Sequence, residues 1–339
     1  MIFSIDFFIR ILNVSLFHPS FAILFLVVLY VQGYGISEPE FLFSSVYTFI
    51  VCFFWLLSYL SIKSRNGWKT RHLDWDDEIV VITGGSSGLG SLLAETLARN
   101  VTVIILDIKP PEVEHDNIIY FECDVSKLED VQKVAKEIID EAGHPTILIN
   151  NAGIVQGKTI LELSEKEILN TLNTNLLASF WTTKVFLPEM IKKNHGHIVT
   201  IASALTFIGM PQLADYCSSK AALIGFHETL RRELDNQYNA KNVHTTLVCP
   251  GKLKTGMFDG ATVRFPFLTP SMATLEVVKP IITALDKNQG QDIFIPFYVN
   301  ILALLRFLPL FVQDLLYKMN DGDHSMSKWK GKYNKNKDQ

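Results

Sequence analysis

At 339 residues the chain is too long for one small domain and about right for a single α/β domain with attachments. A net charge of −4 leaves no basic footprint, so no nucleic-acid partner is expected. Apolar residues make up 48% of the chain, high for a soluble enzyme, and the excess sits at the N-terminus.

Two apolar segments come first, at about 11–33 and 41–62, within an expected membrane anchor at 1–72. Phe41 to Ile62 carries no charged residue and can cross roughly 30 Å of hydrocarbon. The earlier run, Phe21 to Val31, reaches spanning length only when extended back through His18 and Pro19 to Ile11. No small-residue cleavage site follows it, so a removed signal is not expected. Lys63, Arg65, Lys69 and Arg71 follow the second segment and assign that flank to the cytosol. The pattern suits a hairpin of two membrane segments; one span plus an interfacial helix is the alternative.

The stretch IVVITGGSSGLG, Ile79 to Gly90, combines a buried strand, a glycine-rich turn and the start of a helix. That order makes a dinucleotide pocket. Gly84 permits a tight turn, Gly88 lets backbone N–H groups approach a pyrophosphate, and Gly90 lets helix and strand pack closely. Ser86, Ser87 and Leu89 complete the loop, and the helix N-terminus adds partial positive charge. The same letters satisfy G-x-S-x-G at Gly84, Ser86 and Gly88, the nucleophile elbow of hydrolases. An elbow needs several strands before it, and only membrane-like sequence precedes Ile79. The next strand, VTVIILD, ends at Asp107, roughly 20 residues on, where a carboxylate grips a ribose 2′-hydroxyl. NAD(H) is therefore expected over NADP(H), which Lys109 nearby leaves open.

From Asp74 the patterns alternate. Strands are expected at 79–82, 101–106, 118–123, 146–150, 197–202, 243–248 and 292–295, and helices at 87–99, 128–141, 165–193, 215–238 and 275–287. Alternation of this kind specifies an α/β fold with a Rossmann-type, doubly wound parallel sheet, its ligand beyond the carboxyl ends of the strands. Asp124, with Val125 after it, ends the third strand; it could accept from an adenine amino group or cap the next helix. Asn150 to Gly153 (NNAG) ends the fourth. Asn151, Ala152 and Gly153 allow close approach to a ribose, or form an ordinary turn. Ser203 ends the fifth, with Tyr216 and Lys220 thirteen and seventeen residues on. Residues four apart share a helix face. A tyrosine of pKa about 10 must lose roughly 3 units, about 4 kcal/mol, to act as a base near neutrality. A neighbouring ammonium at an effective dielectric of ~20 supplies energy of that order.

Four cysteines, Cys52, Cys123, Cys217 and Cys249, show neither C-x-x-C nor metal spacing and read as reduced thiols. His195 and His197 lead straight into a β pattern, a strand-edge pair rather than a metal site; no metal is expected. Apolar residues from Ile301 to Leu316 recur at helical spacing and give an amphipathic helix at 296–318, interrupted by Pro309. It covers the core or touches a bilayer. The tail at 319–339 is basic, and after Ser327 it is expected to be disordered.

Over about Asp76 to Ile295 the chain resembles the short-chain dehydrogenase/reductase family. Thr83–Gly90, Asp124, Asn150–Gly153, Asn175, Ser203, Tyr216–Lys220 and Pro250–Thr255 carry the likeness. The resemblance implies a catalytic set of Asn175, Ser203, Tyr216 and Lys220, with Asn175 holding a water that relays protons from Lys220. It implies that Pro250, Gly251 and Thr255 meet the nicotinamide end of the cofactor. Lys252 and Lys254 depart from the usual residues there. Asn175–Met190 and His324–Lys332 look like the membrane-bound retinol and 17β-hydroxysteroid dehydrogenases of endoplasmic reticulum and lipid droplets. That likeness implies a lipophilic alcohol or ketone substrate, a membrane partner and a homodimer among the expected assemblies. A membrane or lipid-droplet scaffold that keeps the fold without the chemistry is the alternative.

Overall fold

Seven short runs rich in β-branched and aromatic residues are placed side by side in the protein, seen here in a computed structural model that describes residues 4–68, 72–320 and 322–330. They are β1 (Ile79–Thr83), β2 (Thr102–Asp107), β3 (Ile118–Glu122), β4 (Ile147–Asn150), β5 (Gly196–Ile201), β6 (Val243–Pro250) and β7 (Asp292–Ile295). Every ladder is parallel, in the order β3-β2-β1-β4-β5-β6-β7. The inner strands β4, β5 and β6 are buried at every residue, as a sheet covered on both faces requires. The edge strand β3 is only partly covered.

Alternate residues face opposite layers. Val80 and Ile82 point into a core shared with α4 (Gly88–Leu97) and α9 (Thr274–Asp286). Val81, Ile104, Leu148 and Ile198 point into the other, under α5 (Leu128–Glu141), α7 (Ala178–Lys193) and α8 (Ala214–Asn236). The doubly wound reading of the sequence is the fold.

Two helices of the catalytic domain are divided where the sequence reading has each as one. The helix expected at 165–193 is α6 (Glu165–Leu172), a π-helical turn at Asn173–Leu177, and then α7. The helix expected at 296–318 is two, α10 (Tyr298–Leu305) and α11 (Leu310–Met319), because Pro309 cannot donate the hydrogen bond a continuous helix needs. Val299 of α10 is buried, whereas Leu304, Phe307, Leu310, Phe311 and Leu315 are exposed. The tail is not free throughout. Ser325 and Met326 are buried, and the Thr262 N–H donates to the Ser325 carbonyl at 2.8 Å. Residues 331–339, with Lys332, Lys335 and Lys337, lie outside the described residues, as do Lys69 and Arg71 of the basic cluster.

Residues 4–68 form a separate unit. Its helix α3 (Pro39–Asn66) is long and apolar enough to cross a membrane. The run expected at 11–33 is a pair, α1 (Ile5–Val14) and α2 (Pro19–Val31), bent by 56°. Pro19 begins α2, with His18 capping it, so the break falls where a proline must start a helix rather than continue one. Thr48 of α3 donates to the Ala22 carbonyl at 3.1 Å, and Trp55 to the Phe17 carbonyl at 2.8 Å.

The close approach of α4 to β1 depends on Gly90. A Cβ there would lie 2.2 Å from the Gly84 carbonyl oxygen and 2.6 Å from Asn151 Nδ2. Gly90→Ala should therefore lose about 1–3 kcal/mol of stability through overpacking. Urea unfolding of the full chain in detergent checks this, and an unchanged midpoint would mean that α4 moves off the sheet without penalty.

Candidate active site

At the boundary of β1 and β4 the chain turns from one half of the sheet to the other, which opens a crevice at their carboxyl ends. The loop from β1 into α4 forms one wall. Gly84 has φ +65°, and its Cβ would fall 2.9 Å from Ala152 Cα. Gly88 has φ +62°; a Cβ there would meet Thr255, at 3.4 Å, across the crevice. The start of α4, behind the extended Ser87, carries no side-chain cap, and only Thr255 stands close to Gly88 there. That arrangement fits the pyrophosphate of a dinucleotide. Leu89 and Val125 are buried in the two cores, so their side chains hold the scaffold and only their backbone is left for a ligand.

Asp107 ends β2. Its carboxylate accepts from the Ser86 N–H at 3.1 Å and the Lys109 N–H at 3.3 Å, which fixes it beside the loop. Ser86 Oγ donates to the Lys109 carbonyl at 2.6 Å, a tether rather than the posture of an elbow nucleophile. Asp124 Oδ1 accepts from Ser126 N and Oγ at 3.2 and 2.6 Å, and Oδ2 pairs with Lys127 at 3.1 Å. Burial raises its pKa, but these partners together hold it below the usual carboxylate value. In the structure Asp124 organises the start of α5.

The NNAG segment ties β4 to β1. The N–H groups of Asn151 and Ala152 both donate to Thr83 Oγ1 at 3.0 Å, and Asn151 Nδ2 donates to the carbonyls of Thr83 and Gly84 at 3.0 Å each. A Cβ on Gly153 would stand 3.6 Å from both Asn175 Oδ1 and Lys220 Nζ, so this glycine leads from the cofactor cradle to the candidate catalytic set.

Asn175 sits in the π turn, 1% exposed. Its Oδ1 accepts from the Ile154 N–H at 2.7 Å, and its Nδ2 donates to the Ile154 carbonyl at 2.9 Å and to Ser219 Oγ at 3.1 Å. Ser203 follows β5 in extended geometry, its Oγ accepting from the Leu205 N–H at 3.2 Å. Tyr216 and Lys220 lie one turn apart on α8, 5% and 3% exposed. Lys220 Nζ donates to the Ile201 carbonyl at 2.8 Å and stands 5.9 Å from the centre of the Tyr216 ring.

Burial pushes the Tyr216 phenol up to about 12, against a hydrogen bond with Ser203 that pulls it down. Burial draws the Lys220 ammonium down to about 8. Both shifts favour the uncharged forms. The expected lowering of Tyr216 by its lysine is thus not a property of the chain alone, because desolvation outweighs an ammonium directed at Ile201. A phenolate here needs a further positive charge, and an oxidised nicotinamide is one.

Pro250 ends β6, and the Gly251 N–H donates to the Ile295 carbonyl at 2.7 Å. Thr255 faces Gly88 across the cradle. The unusual Lys252 spends its ammonium on the Ala261 carbonyl, and burial lowers its pKa. Four residues at the site were given no role by the sequence reading, although Thr83, Ser219 and Trp329 lie inside segments that carry the family likeness. Thr83 and Ser219 are the hubs just described. Phe258 stands edge-on to Tyr216, at 5.5 Å and 85°. Trp329 packs beside them, and its signal was an aromatic ring set among lysines. An open cavity of about 520 Å³ lies farther out, between Gly209–Pro211, Cys217 and Tyr317, and does not include Tyr216.

Comparison with known proteins agrees with this geometry. The short chain dehydrogenase family profile matches residues 78–263, from the residue before β1 to the loop after Thr255. Dehydrogenase RED2 of Cochliobolus heterostrophus is 44% identical over 198 residues, covering 57% of this chain and 75% of its own. Human epidermal retinol dehydrogenase 2 is 39% identical over 245 residues, covering 69% and 79%. The solved structure of 4-hydroxyisoleucine dehydrogenase complexed with NADH superposes with a TM-score of 0.58 at 23% identity, over 64% of this chain and 97% of that one. With the cradle, the buried tyrosine–lysine pair and these likenesses in agreement, the chain belongs to the short-chain dehydrogenase family and is an NAD(P)-dependent oxidoreductase.

Proposed function

We propose that the protein is a membrane-anchored dehydrogenase that moves a hydride between NAD(H) and a lipophilic alcohol or ketone. The observation that carries the chemistry is the burial of Tyr216 and Lys220 together on one face of α8, with Ser203, itself buried, acting on the phenol, next to the glycine cradle. Bound nicotinamide supplies the hydride acceptor or donor. Ser203 donates to the substrate oxygen and orients it. In the oxidising direction the alcohol proton passes to the Tyr216 oxygen while the carbinol hydrogen leaves as hydride. Lys220 favours the phenolate through its charge, and Asn175 keeps Ile154 and Ser219 in register beside it.

Asp107, Gly84–Gly90, Asn151–Gly153, Pro250, Gly251 and Thr255 hold the cofactor in this reading. The lipophilic substrate is supported by the apolar residues around Tyr216 and by the retinol dehydrogenases among the relatives. Membrane anchoring is supported by α3, with Lys63 and Arg65 at its end assigning the catalytic domain to the cytosol, on endoplasmic reticulum or lipid droplets.

Tyr216→Phe keeps the ring and removes the proton carrier. Turnover should fall by roughly 10²–10⁴-fold while NADH still binds. Near-normal turnover of a retinoid, steroid and long-chain alcohol panel by this variant would sink the assignment.

The Asp107 carboxylate accepts from a 2′-hydroxyl and repels a 2′-phosphate. The expected kcat/KM is higher with NAD(H) than with NADP(H), and Asp107→Ser should narrow the gap. A native preference for NADP(H) refutes the role given to Asp107.

Alkaline carbonate should leave the protein in the membrane pellet, and protease added outside sealed microsomes should digest the catalytic domain. Full protection of that domain would reverse the orientation.

A further inference from the structure

The C-terminal residues Ser325–Lys330 run across the loop that follows Thr255. Three backbone contacts lay them down: Thr262 N–H to the Ser325 carbonyl at 2.8 Å, Lys330 N–H to the Asp259 carbonyl at 2.9 Å, and the Lys328 carbonyl against Gly260. A Cβ on Gly260 would fall 1.9 Å from the Lys328 oxygen, so the strap and the loop meet at a distance that only glycine allows. Trp329 is fastened at both edges. Its Nε1 donates to the Met257 carbonyl at 3.0 Å, and its six-membered ring lies over Gly157, where a Cβ would be 2.3 Å from Cε3. Met326, 5% exposed, packs in one apolar cluster with Leu213, Tyr216 and Cys217, bordered by Phe258 and Trp329.

The two segments that receive the strap are each continuous in sequence with a residue of the candidate cofactor cradle. Gly157 lies four residues beyond Gly153, and Met257–Gly260 follow Thr255. The strap thus borders Tyr216 through Met326, which shares its apolar cluster, and Trp329, which packs against that cluster. We infer that Trp329, clamped between Gly157 and Met257 with Met326 behind it, is the outer wall of the substrate pocket and sets the girth of the lipophilic alcohol that reaches Tyr216. This rests on the proposed alcohol chemistry. Removing an indole deletes far more wall than one methylene, and a methylene in an apolar pocket changes discrimination by about 10–200-fold.

The test uses the full chain in detergent with NAD, comparing a lean substrate, an unbranched long-chain primary alcohol, with a bulky one, a steroid alcohol. Trp329→Ala should raise the ratio of kcat/KM for bulky over lean substrate by about tenfold or more. Trp329→Phe should keep the ratio near native, and Trp329→Leu should fall between them. NADH affinity, measured for every variant, should stay unchanged and marks the folded ones. A ratio constant within about twofold across variants that bind NADH overturns the inference alone. Failure of the native chain to oxidise either alcohol, with NADH bound, overturns the proposed function and the inference with it.

Discussion

Thr83 is the point to which the carboxyl edge of the sheet is referenced. Its hydroxyl accepts two N–H groups from the NNAG segment, and its carbonyl takes the Asn151 amide. From there the backbone passes through Gly153 to Ile154, which is clasped on both its N–H and its carbonyl by Asn175. Asn175 in turn donates to Ser219, on the turn of α8 that carries Tyr216 and Lys220. Each such neutral bond contributes roughly 1 kcal/mol, but leaving a buried partner unsatisfied costs about 1–3 kcal/mol. The chain of contacts therefore holds as a unit. The candidate cofactor cradle and the helix that carries Tyr216 and Lys220 have fixed relative positions because both are fastened to the end of β1.

The price of this order is desolvation. Tyr216 and Lys220 are held where the uncharged forms are favoured, with the phenol near 12 and the ammonium near 8. A surface pair would titrate as free side chains do and would respond little to a bound charge. In a dry site an added cation acts through a low dielectric and is felt strongly. On the proposed chemistry, proton acceptance by Tyr216 would thereby be coupled to the charge of a bound nicotinamide.

Much of this was legible in the sequence because it rests on period and residue type. Strands β1, β2 and β4 read as apolar runs, β5 and β6 keep Val, Ile and Leu among buried His and Thr, and all seven fall at or within about two residues of the expected runs. Glycines that a Cβ would choke are visible as glycines, and Tyr216 and Lys220 share a face by spacing alone. What escaped depends on contacts distant in the chain. Thr83 lies just past the strand expected at 79–82, at the head of the glycine-rich motif, and nothing nearby says that it faces Asn151. For Asp124 the sequence left an adenine acceptor and a helix cap both open, and only the contacts with Ser126 and Lys127 show what it holds in the folded chain. The basic tail looked like a solvated one because its charges hide the fact that Met326 and Trp329 are the residues that pack.

The π turn at Asn173–Leu177 has its own consequence. An extra residue accommodated within one widened turn leaves the phase of the flanking helices undisturbed, whereas an ordinary helix advances by about 100° per residue. Thr182, Thr183 and Phe186 of α7 can then stay turned towards the interior while Asn175 bulges into the site. The placement of this asparagine is thus encoded by length as well as by identity. Every letter of the helix could be conserved in type, and the loss of one residue from the turn would still close it and carry the amide away from Ile154.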